Sequence, residues 1–321
     1  MSTKRIELQS RVPTRLAGRR LDQVLAELFP DHSRSRLQAW VKEGTVTVDG
    51  RRLRSKDRVA GGEEILIDAE QREESPVVAQ AIPLTIVYED ESLLVIDKPA
   101  GLVVHPAAGN PEGTLQNALL HHLPQLANVP RAGIVHRLDK ETSGLLVVAK
   151  SLTAQTHLVR QLQSRSMGRD YLALVQGVLV SGGRVDEPIG RHPVDRKRQA
   201  VVPEGKAAVS HYRVMERFRG HTLIQVSLET GRTHQIRVHM AHIRHPLVGD
   251  PIYGGRARLP KGASETLSAR LRAFRRQALH AYRLRLVHPQ SGEERLWESA
   301  PPEDMAQLIA ALREDALEDT A

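Results

Sequence analysis

The hydrophobic positions near the start of the chain predict two helices followed by a β-hairpin. Apolar residues recur at helical spacing over residues 21–29, before Pro30. A second helical pattern ends at Gly44, and residues 45–53 then alternate between apolar and polar as a strand that turns at Asp49-Gly50. This first region is therefore expected to be a small module of two helices and a hairpin.

After residue 83 the pattern changes to short apolar runs separated by turns, which predicts a second, mixed α+β region with much antiparallel sheet. A hairpin is expected over residues 85–99, a helix capped by Ser151 through Leu162, and a helix over residues 301–315. Further strands are expected in residues 134–138, 145–150, 171–180, 222–230 and 279–289.

The acidic, proline-containing segment over residues 66–83 reads as a linker between the two regions. The predicted division is an N-terminal extension (1–18), a small module with its linker (19–80), a larger domain (83–312) and an acidic tail (313–321). No internal repeat is visible.

Charge and composition point to a polyanionic partner. The chain has 46 Lys and Arg against 38 Asp and Glu, a formal charge of +8 and a pI near 10.0. Between Arg34 and Arg58 there are eight basic residues against three acidic ones, which favours nucleic-acid contact over an ordinary solvated helix face. An anionic membrane surface is the competing partner, but no apolar run has the length of a membrane span, so a cytoplasmic protein is expected.

The chain contains no cysteine, which excludes disulfides, thiolate metal sites and cysteine nucleophiles. Four histidines between residues 234 and 245 raise the question of a metal site. No HExxH motif is present, and the interspersed arginines Arg232, Arg237 and Arg244 would repel a cation, so no metal is expected. Motifs for dinucleotide or P-loop binding and the GxSxG elbow are also missing.

The most unusual polar cluster lies in GIVHRLDKETSGLLVVAK, residues 133–150, where Asp139 stands between two apolar runs. Asp, Lys, Thr, Ser and Gly are common turn residues, so a turn-forming role for Asp139 is the plain interpretation. A catalytic role needs support from elsewhere in the chain.

Three segments supply that support by their resemblance to a known family. HRLDKETSGLLVVAK resembles the signature of the RluA-type RNA pseudouridine synthases, and TGRTHQIRVHMAHIRHPLVGD resembles a later motif of the same family. ESLLVIDKPAGLVVHP, residues 91–106, looks like the segment that opens the catalytic domain of these enzymes. Residues 19–68 resemble an S4 RNA-binding module, so the resemblance covers nearly the whole chain.

The resemblance implies an α+β protein with a small N-terminal S4-like domain, followed in the chain by a catalytic domain with a mixed, mainly antiparallel sheet. It implies that Asp139 is the catalytic aspartate, that Tyr171 stacks on the target base and that Arg237 pairs with Asp139. An arginine beside a buried carboxylate favours its ionised form. RNA contacts are expected from one set of residues in the S4-like module and one in the catalytic domain, namely Arg34, Arg36, Lys42, Arg51 and Arg52, and Arg137, Arg232 and His234.

The reaction of this family moves uracil from an N1 to a C5 linkage within one nucleotide, so no cofactor is expected. The implied substrate is 23S rRNA, in the helix 69 stem-loop or in a pre-50S particle during maturation of the large subunit, and a monomer is expected. The alternatives are a non-catalytic RNA-binding or ribosome-assembly factor, and a nucleoside glycosylase that would release free uracil.

Overall fold

The protein forms two compact units, Met1–Pro76 and Val77–Ala321. The computed structural model describes residues 3–30, 32, 34–72, 77–107 and 109–318. The elements of the first unit are, in chain order, strand β1 (Thr3–Arg11), helix α1 (Leu21–Leu28), helix α2 (Arg34–Glu43), strand β2 (Val46–Val48) and strand β3 (Glu64–Arg72). The strands form an antiparallel sheet in the order β1-β3-β2.

The helices of this unit lie where the hydrophobic spacing predicts them, but the hairpin does not. The turn at Asp49 and Gly50 is present, with both residues at positive φ. Beyond it Val48 makes only an isolated bridge with Arg51, and β2 pairs instead with β3. The predicted extension over residues 1–18 is also not separate in its described part, residues 3–18, because β1 pairs with β3 along its full length. These partners are more than fifty residues apart, and local alternation carries no information about which distant strand will pair.

The second unit contains eleven strands and five α-helices in the described residues. Its strands are β4 (Thr85–Glu89), β5 (Leu93–Lys98), β6 (Ser143–Ala149), β7 (Gly168–Gln176), β8 (Gly183–Asp186), β9 (Ile189–Arg191), β10 (Gln199–Val201), β11 (Val209–Arg217), β12 (His221–Leu228), β13 (Leu279–Val287) and β14 (Glu294–Glu298). Its helices are α3 (Leu115–His122), α4 (Leu152–Gln163), α5 (Gln235–His242), α6 (Glu265–Ala273) and α7 (Glu303–Glu318).

Nine of these strands form one mixed sheet in the order β4-β5-β6-β13-β7-β12-β11-β8, with β14 added to β13. Every pairing is antiparallel except that of β6 with β13. Strands β9 and β10 form a small separate sheet. The predicted α+β class with a mainly antiparallel sheet is therefore confirmed.

Alternate residues along the central strands supply separate cores on the two faces of the sheet. On β5, Leu94 and Ile96 belong to the largest hydrophobic cluster, whereas Leu93 and Val95 belong to another that also includes Leu158 of α4. The predicted cap of α4 is present, because Ser151 Oγ accepts a hydrogen bond from Ala154 N at 3.1 Å.

Three sequence expectations for the second unit need correction. Residues 134–138 are not a strand; Ile134 makes one isolated bridge to Val148, and the segment is a loop leading into β6. The unit begins at Val77 rather than at residue 83, since Asn117 Nδ2 donates to Val78 O at 2.8 Å. Residues 313–318 continue α7 instead of forming a tail, and residues 319–321 of the predicted tail lie outside the described residues.

Candidate active site

Asp139 lies in the loop before β6, and backbone and side-chain hydrogen bonds fix that loop from both sides. Thr142 N donates to Asp139 O at 3.0 Å, which closes a turn directly after the aspartate. The fully buried Lys98 Nζ donates to Lys140 O at 3.0 Å, and also to Pro99 O and Leu102 O. Burial lowers the pKa of Lys98 to about 8, and the nearby acids oppose this. One ammonium group thus ties the end of β5 to the loop that presents the carboxylate.

A glycine at the start of β6 allows the loop to lie close to the neighbouring strand. Gly144 has φ +114, and a Cβ at this position would be 2.3 Å from Ala281 O on β13. A side chain here would force apart the only parallel strand pair of the sheet. The "TSG" of the sequence motif therefore has a steric reason at its glycine.

Arg237 reaches Asp139 from the first turn of α5. Its Nη1 donates to Asp139 Oδ2 at 3.1 Å, between side chains that are 4 % and 16 % exposed. The other donors, Nε and Nη2, bind both oxygens of the buried Asp250 at 2.6 and 2.9 Å. The guanidinium is thereby held in one orientation, with a single N–H edge directed at Asp139.

Asp250 is itself held rigidly. Its Oδ1 accepts hydrogen bonds from the backbone N–H groups of Ile252 and Tyr253 at 2.9 and 3.1 Å. Burial raises the pKa of Asp250, but the hydrogen bonds and charge of Arg237 outweigh it and leave that pKa below its usual value. Asp250 is therefore ionised at neutral pH.

His234 also lies close to Asp139. It precedes α5 with φ 57, and its Nε2 lies 3.9 Å from Asp139 Oδ2. Its Nδ1 is 2.9 Å from Tyr253 Oη, which accepts from Gln199 N. Burial lowers the pKa of His234, so the ring is neutral. The hydrogen bond between Tyr253 and His234 forms when the phenol donates to Nδ1. The proton of the neutral ring is then on Nε2, which faces the Asp139 carboxylate.

These groups border a cavity of about 620 Å³. Tyr171 of β7 is buried in its wall and belongs to the largest hydrophobic core. Six arginines and two carboxylates line the cavity, namely Arg131, Arg137, Arg165, Arg169, Arg232 and Arg237, and Asp139 and Glu229. The lining is strongly cationic, as expected of a site for a polyanion.

Six of the sequence-predicted residues meet in this cavity: Asp139, Tyr171, Arg237, Arg137, Arg232 and His234. Arg137 and Arg232 are exposed, and Arg232 Nε donates to Ala207 O at 3.0 Å. The other five belong to the first unit. There Lys42, Arg51 and Arg52 are exposed and Arg36 is half-buried.

Arg34 has a structural partner as well as an exposed side chain. Its Nη2 donates to the buried Asp22 Oδ2 at 2.6 Å, and Gln38 Nε2 donates to the same oxygen at 2.8 Å. This contact joins α1 to α2, so replacing Arg34 would disturb the helix pair as well as any RNA contact.

Sequence reasoning missed Lys98, Asp250, Tyr253 and Arg169. Asp250 and Tyr253 lie in GDPIYGG, which is uninformative as a nucleotide-binding pattern, and only the folded chain brings them to Arg237 and His234. For Arg169 a signal was present. It stands two residues before Tyr171 on a strand, and period-two alternation places both on one face.

In the described residues no group of three or more His, Cys, Asp or Glu side chains could hold a metal ion. No described helix is long and apolar enough to cross a bilayer.

Comparison with known proteins gives a consistent result. Residues 92–242 match the family model described as RNA pseudouridylate synthase, and residues 19–65 match the S4 domain. Ribosomal large subunit pseudouridine synthase D of Pseudomonas aeruginosa is 62 % identical over 310 residues, covering 97 % of both chains. The protein of the same name from Escherichia coli K12 is 58 % identical over 313 residues, covering 97 % of this chain and 96 % of its own.

Solved structures agree on the fold. The human protein RNA Pseudouridylate Synthase Domain Containing 4 superposes with a TM-score of 0.57 at 25 % identity, over 71 % of this chain and 93 % of its own. The resemblance seen in the three sequence motifs and in the S4-like start is confirmed.

Proposed function

The chain belongs to the RNA pseudouridylate synthase family, and from this premise we propose that it isomerises uridines of large-subunit ribosomal RNA to pseudouridine. The observation that carries this proposal is the juxtaposition of Asp139 and Arg237, 3.1 Å apart, in a cationic cavity that Tyr171 also lines. A family member without catalysis would not need a charged carboxylate held at the wall of that cavity.

The carboxylate suits the chemistry of the reaction. When the N1–C1′ bond of uridine opens, C1′ becomes electron-poor, and an anion beside it can stabilise the charge, add to the carbon or remove a sugar proton. Arg237 directs one N–H group at Asp139, and it cannot turn away because Asp250 binds its other two donors. The uracil then turns and rejoins the sugar through C5, so the atoms balance within one nucleotide.

A uridine in folded RNA reaches such a cavity only by leaving its stack, at a cost of a few kcal/mol. Tyr171 supplies a face on which the extruded base stacks, which offsets part of that cost. Burial raises the pKa of Tyr171, so its hydroxyl stays protonated and can donate a hydrogen bond to the base. The exposed Arg137, two residues before Asp139, is positioned to occupy the space the base leaves.

We further propose that the target is the helix 69 stem-loop of 23S rRNA, acted on during maturation of the large subunit. The support is the extent of similarity to ribosomal large subunit pseudouridine synthase D, which covers both units of the chain. A purely RNA-binding assembly factor is the rival, and it requires no chemistry at Asp139.

The test is replacement of Asp139 by asparagine. Asn keeps the size and turn preference of Asp but carries no charge, so Asp139→Asn should lower pseudouridine formation on a helix 69 transcript at least about a hundredfold. RNA affinity should change less than about threefold, because phosphate contacts elsewhere supply most of it. The measurements are product formation by nucleoside analysis and filter binding.

Asp170→Asn is the matched control, since Asp170 precedes Tyr171 but does not line the cavity and binds Ser227 Oγ. It should retain parental activity. A folded Asp139→Asn protein that converts uridine at the parental rate would return Asp139 to the role of a turn residue. Release of free uracil by the parent protein would instead indicate a glycosylase.

A further inference from the structure

Arg169 is a buried cation without a partner. Its residue surface is 9 % exposed, and its Nε is sealed from solvent with no hydrogen-bond acceptor. Throughout the described part of the chain its guanidinium makes no hydrogen bond or ion pair, although it lines the cavity that contains Asp139. Burying an unpaired charge is costly, so such a group in a native fold calls for a counter-ion from outside.

The carboxylates around the cavity are already engaged. Asp139 is bound by Arg237, and Glu229 is bound by Arg165 at 2.9 Å and by His211 at 2.7 Å. The neighbouring Asp170 points to the opposite face of β7, where it accepts from Ser227. None of these acids is available to neutralise Arg169.

The cavity wall is shaped around this side chain. A Cβ on Gly231 would lie 2.8 Å from Arg169 Nη1, so the glycine before α5 leaves room for the guanidinium. Gly231 does not have positive φ, so the effect of a side chain at this position would be to displace the end of the flexible Arg169 side chain. Within the cavity, Arg169 and Tyr171 stand side by side on β7, with Cα atoms about 7 Å apart.

We propose that Arg169 binds a phosphodiester flanking the target uridine while Tyr171 stacks on the base. This rests on the proposed function and deepens it, because it selects a nucleotide within an RNA chain over a free nucleoside. Arginine suits the task, since its planar fork of donors matches two phosphate oxygens. The spacing of the two side chains is on the scale of one nucleotide from base to phosphate.

The first test removes the charge of the phosphate in the substrate. Helix 69 stem-loops are made with one uncharged methylphosphonate linkage on the 5′ or the 3′ side of the target uridine. The nucleotide before each altered linkage is 2′-O-methylated, and a 2′-O-methylated phosphodiester RNA is the reference. For the parent protein, one of the two altered linkages should lower kcat/KM about tenfold to a hundredfold.

Arg169→Met should lower kcat/KM on the reference RNA by a similar factor. For this variant the uncharged linkage should lower kcat/KM no further. Gly231→Ala displaces the guanidinium without removing its charge. It should also lower kcat/KM on the reference RNA and reduce the effect of the uncharged linkage. Arg165→Met removes a cavity arginine that already has a carboxylate partner, and it should keep the parental sensitivity to the uncharged linkage. Equal sensitivity of parent and Arg169→Met at both linkages would overturn the proposal.

A second measurement needs no RNA and decides the role of Arg169 even if the proposed function fails. Inorganic phosphate at the ionic strength of a chloride reference should raise the unfolding temperature of the parent by about 2 °C more than that of Arg169→Met. In chloride, Arg169→Met should unfold at the parental temperature or above it, because an unpaired buried charge has been removed. A clearly destabilised variant with an unchanged phosphate response would mean that Arg169 is a structural residue.

Discussion

Arg237 divides its donors between two carboxylates, and this division gives each acid a different role. Asp250 is buried and accepts hydrogen bonds from two guanidinium nitrogens, Nε and Nη2. Asp139 accepts one hydrogen bond, from Nη1, and borders the cavity. Under the proposed function Asp250 is a positioning residue, which acts on catalysis through the orientation of Arg237 and not through contact with RNA.

Asp250→Asn should therefore lower kcat about tenfold or more while changing KM less than about threefold. The amide has one acceptor oxygen and an NH2 group that cannot accept, so it cannot bind both Nε and Nη2 of Arg237 as the carboxylate does. Removing one partner of a buried pair should also lower the free energy of unfolding by about 3 kcal/mol. Steady-state kinetics on the stem-loop and urea unfolding give both values.

Glu216→Gln provides the comparison for this variant. Glu216 of β11 accepts hydrogen bonds from Arg313 of α7 on both carboxylate oxygens, and it lies outside the cavity lining. Its replacement should cost stability without changing kcat. If Asp250→Asn lowers the free energy of unfolding but leaves kcat unchanged, as Glu216→Gln should, then Asp250 is no more than a structural partner of Arg237.

At the scale of elements, strand β12 begins with an unusual histidine. His221 is 1 % exposed, and neither ring nitrogen has a hydrogen-bond partner in the described residues. Burial lowers the pKa of His221 to about 4, although Asp315 of α7 opposes this. The folded protein therefore buries a histidine in its neutral form.

Between pH 6.5 and about 4 the unfolded chain protonates this histidine and the folded protein does not. The unfolded state then binds about one proton more, so His221 lowers the free energy of unfolding by about 1.4 kcal/mol for each unit that the pH falls. His221→Leu should remove this effect. Its stability relative to the parent should be nearly constant above pH 7 and should rise steadily from pH 6.5 to pH 4.5.

Urea unfolding of both proteins across this range measures the effect, and the values at pH 7.5 report packing changes alone. A stability difference that does not vary with pH would show that His221 is protonated in the folded state, or that it becomes exposed to water.

At the scale of the whole molecule, the two units have separate hydrophobic cores. Val24, Leu37 and Ile65 belong to a cluster confined to the first unit. The second unit contains every group of the candidate active site, and its first residues are tied to α3 through Asn117. A chain of residues 77–321 should therefore fold alone, whereas removing residues 77–80 as well would break hydrogen bonds of the second unit.

Residues 77–321 should retain a cooperative thermal transition but bind the stem-loop more weakly and with a lower dependence on salt. In the full chain, Lys42→Gln with Arg51→Gln should lower the slope of log K against log salt by about 0.9 for each duplex phosphate that the protein no longer neutralises, if the RNA behaves as B-DNA does. Both residues are exposed, and neither carries the structural hydrogen bond that Arg34 makes with Asp22.

Filter binding over a range of salt concentrations provides the slope. Glu43→Gln, next to Lys42 on the same helix, controls for changes at this surface that remove no positive charge. An unchanged slope in the double variant would remove Lys42 and Arg51 from the RNA interface.

Much of this protein was determined by local sequence. The spacing of apolar residues was sufficient for α1, α2, α4 and half of the described strands, namely β2, β4, β5, β6, β7, β12 and β13, since amphipathic periodicity reflects the burial of one face. The family motifs identified Asp139, Tyr171 and Arg237, and the structure brings all three to one cavity. The glycine of the Asp139 motif also proved to be dictated by a close backbone approach, at Gly144.

Only the tertiary structure decided which distant groups became partners. The pairing of β1 with β3, the binding of Arg237 by Asp250 and the burial of Lys98 beneath the Asp139 loop all join residues that no local pattern connects. The same holds for Arg169. It has no counter-ion in the described residues because the carboxylates near it are bound to other groups. Local periodicity records which face of a strand is buried, but the charge balance of a cavity arises only when separate strands and helices meet.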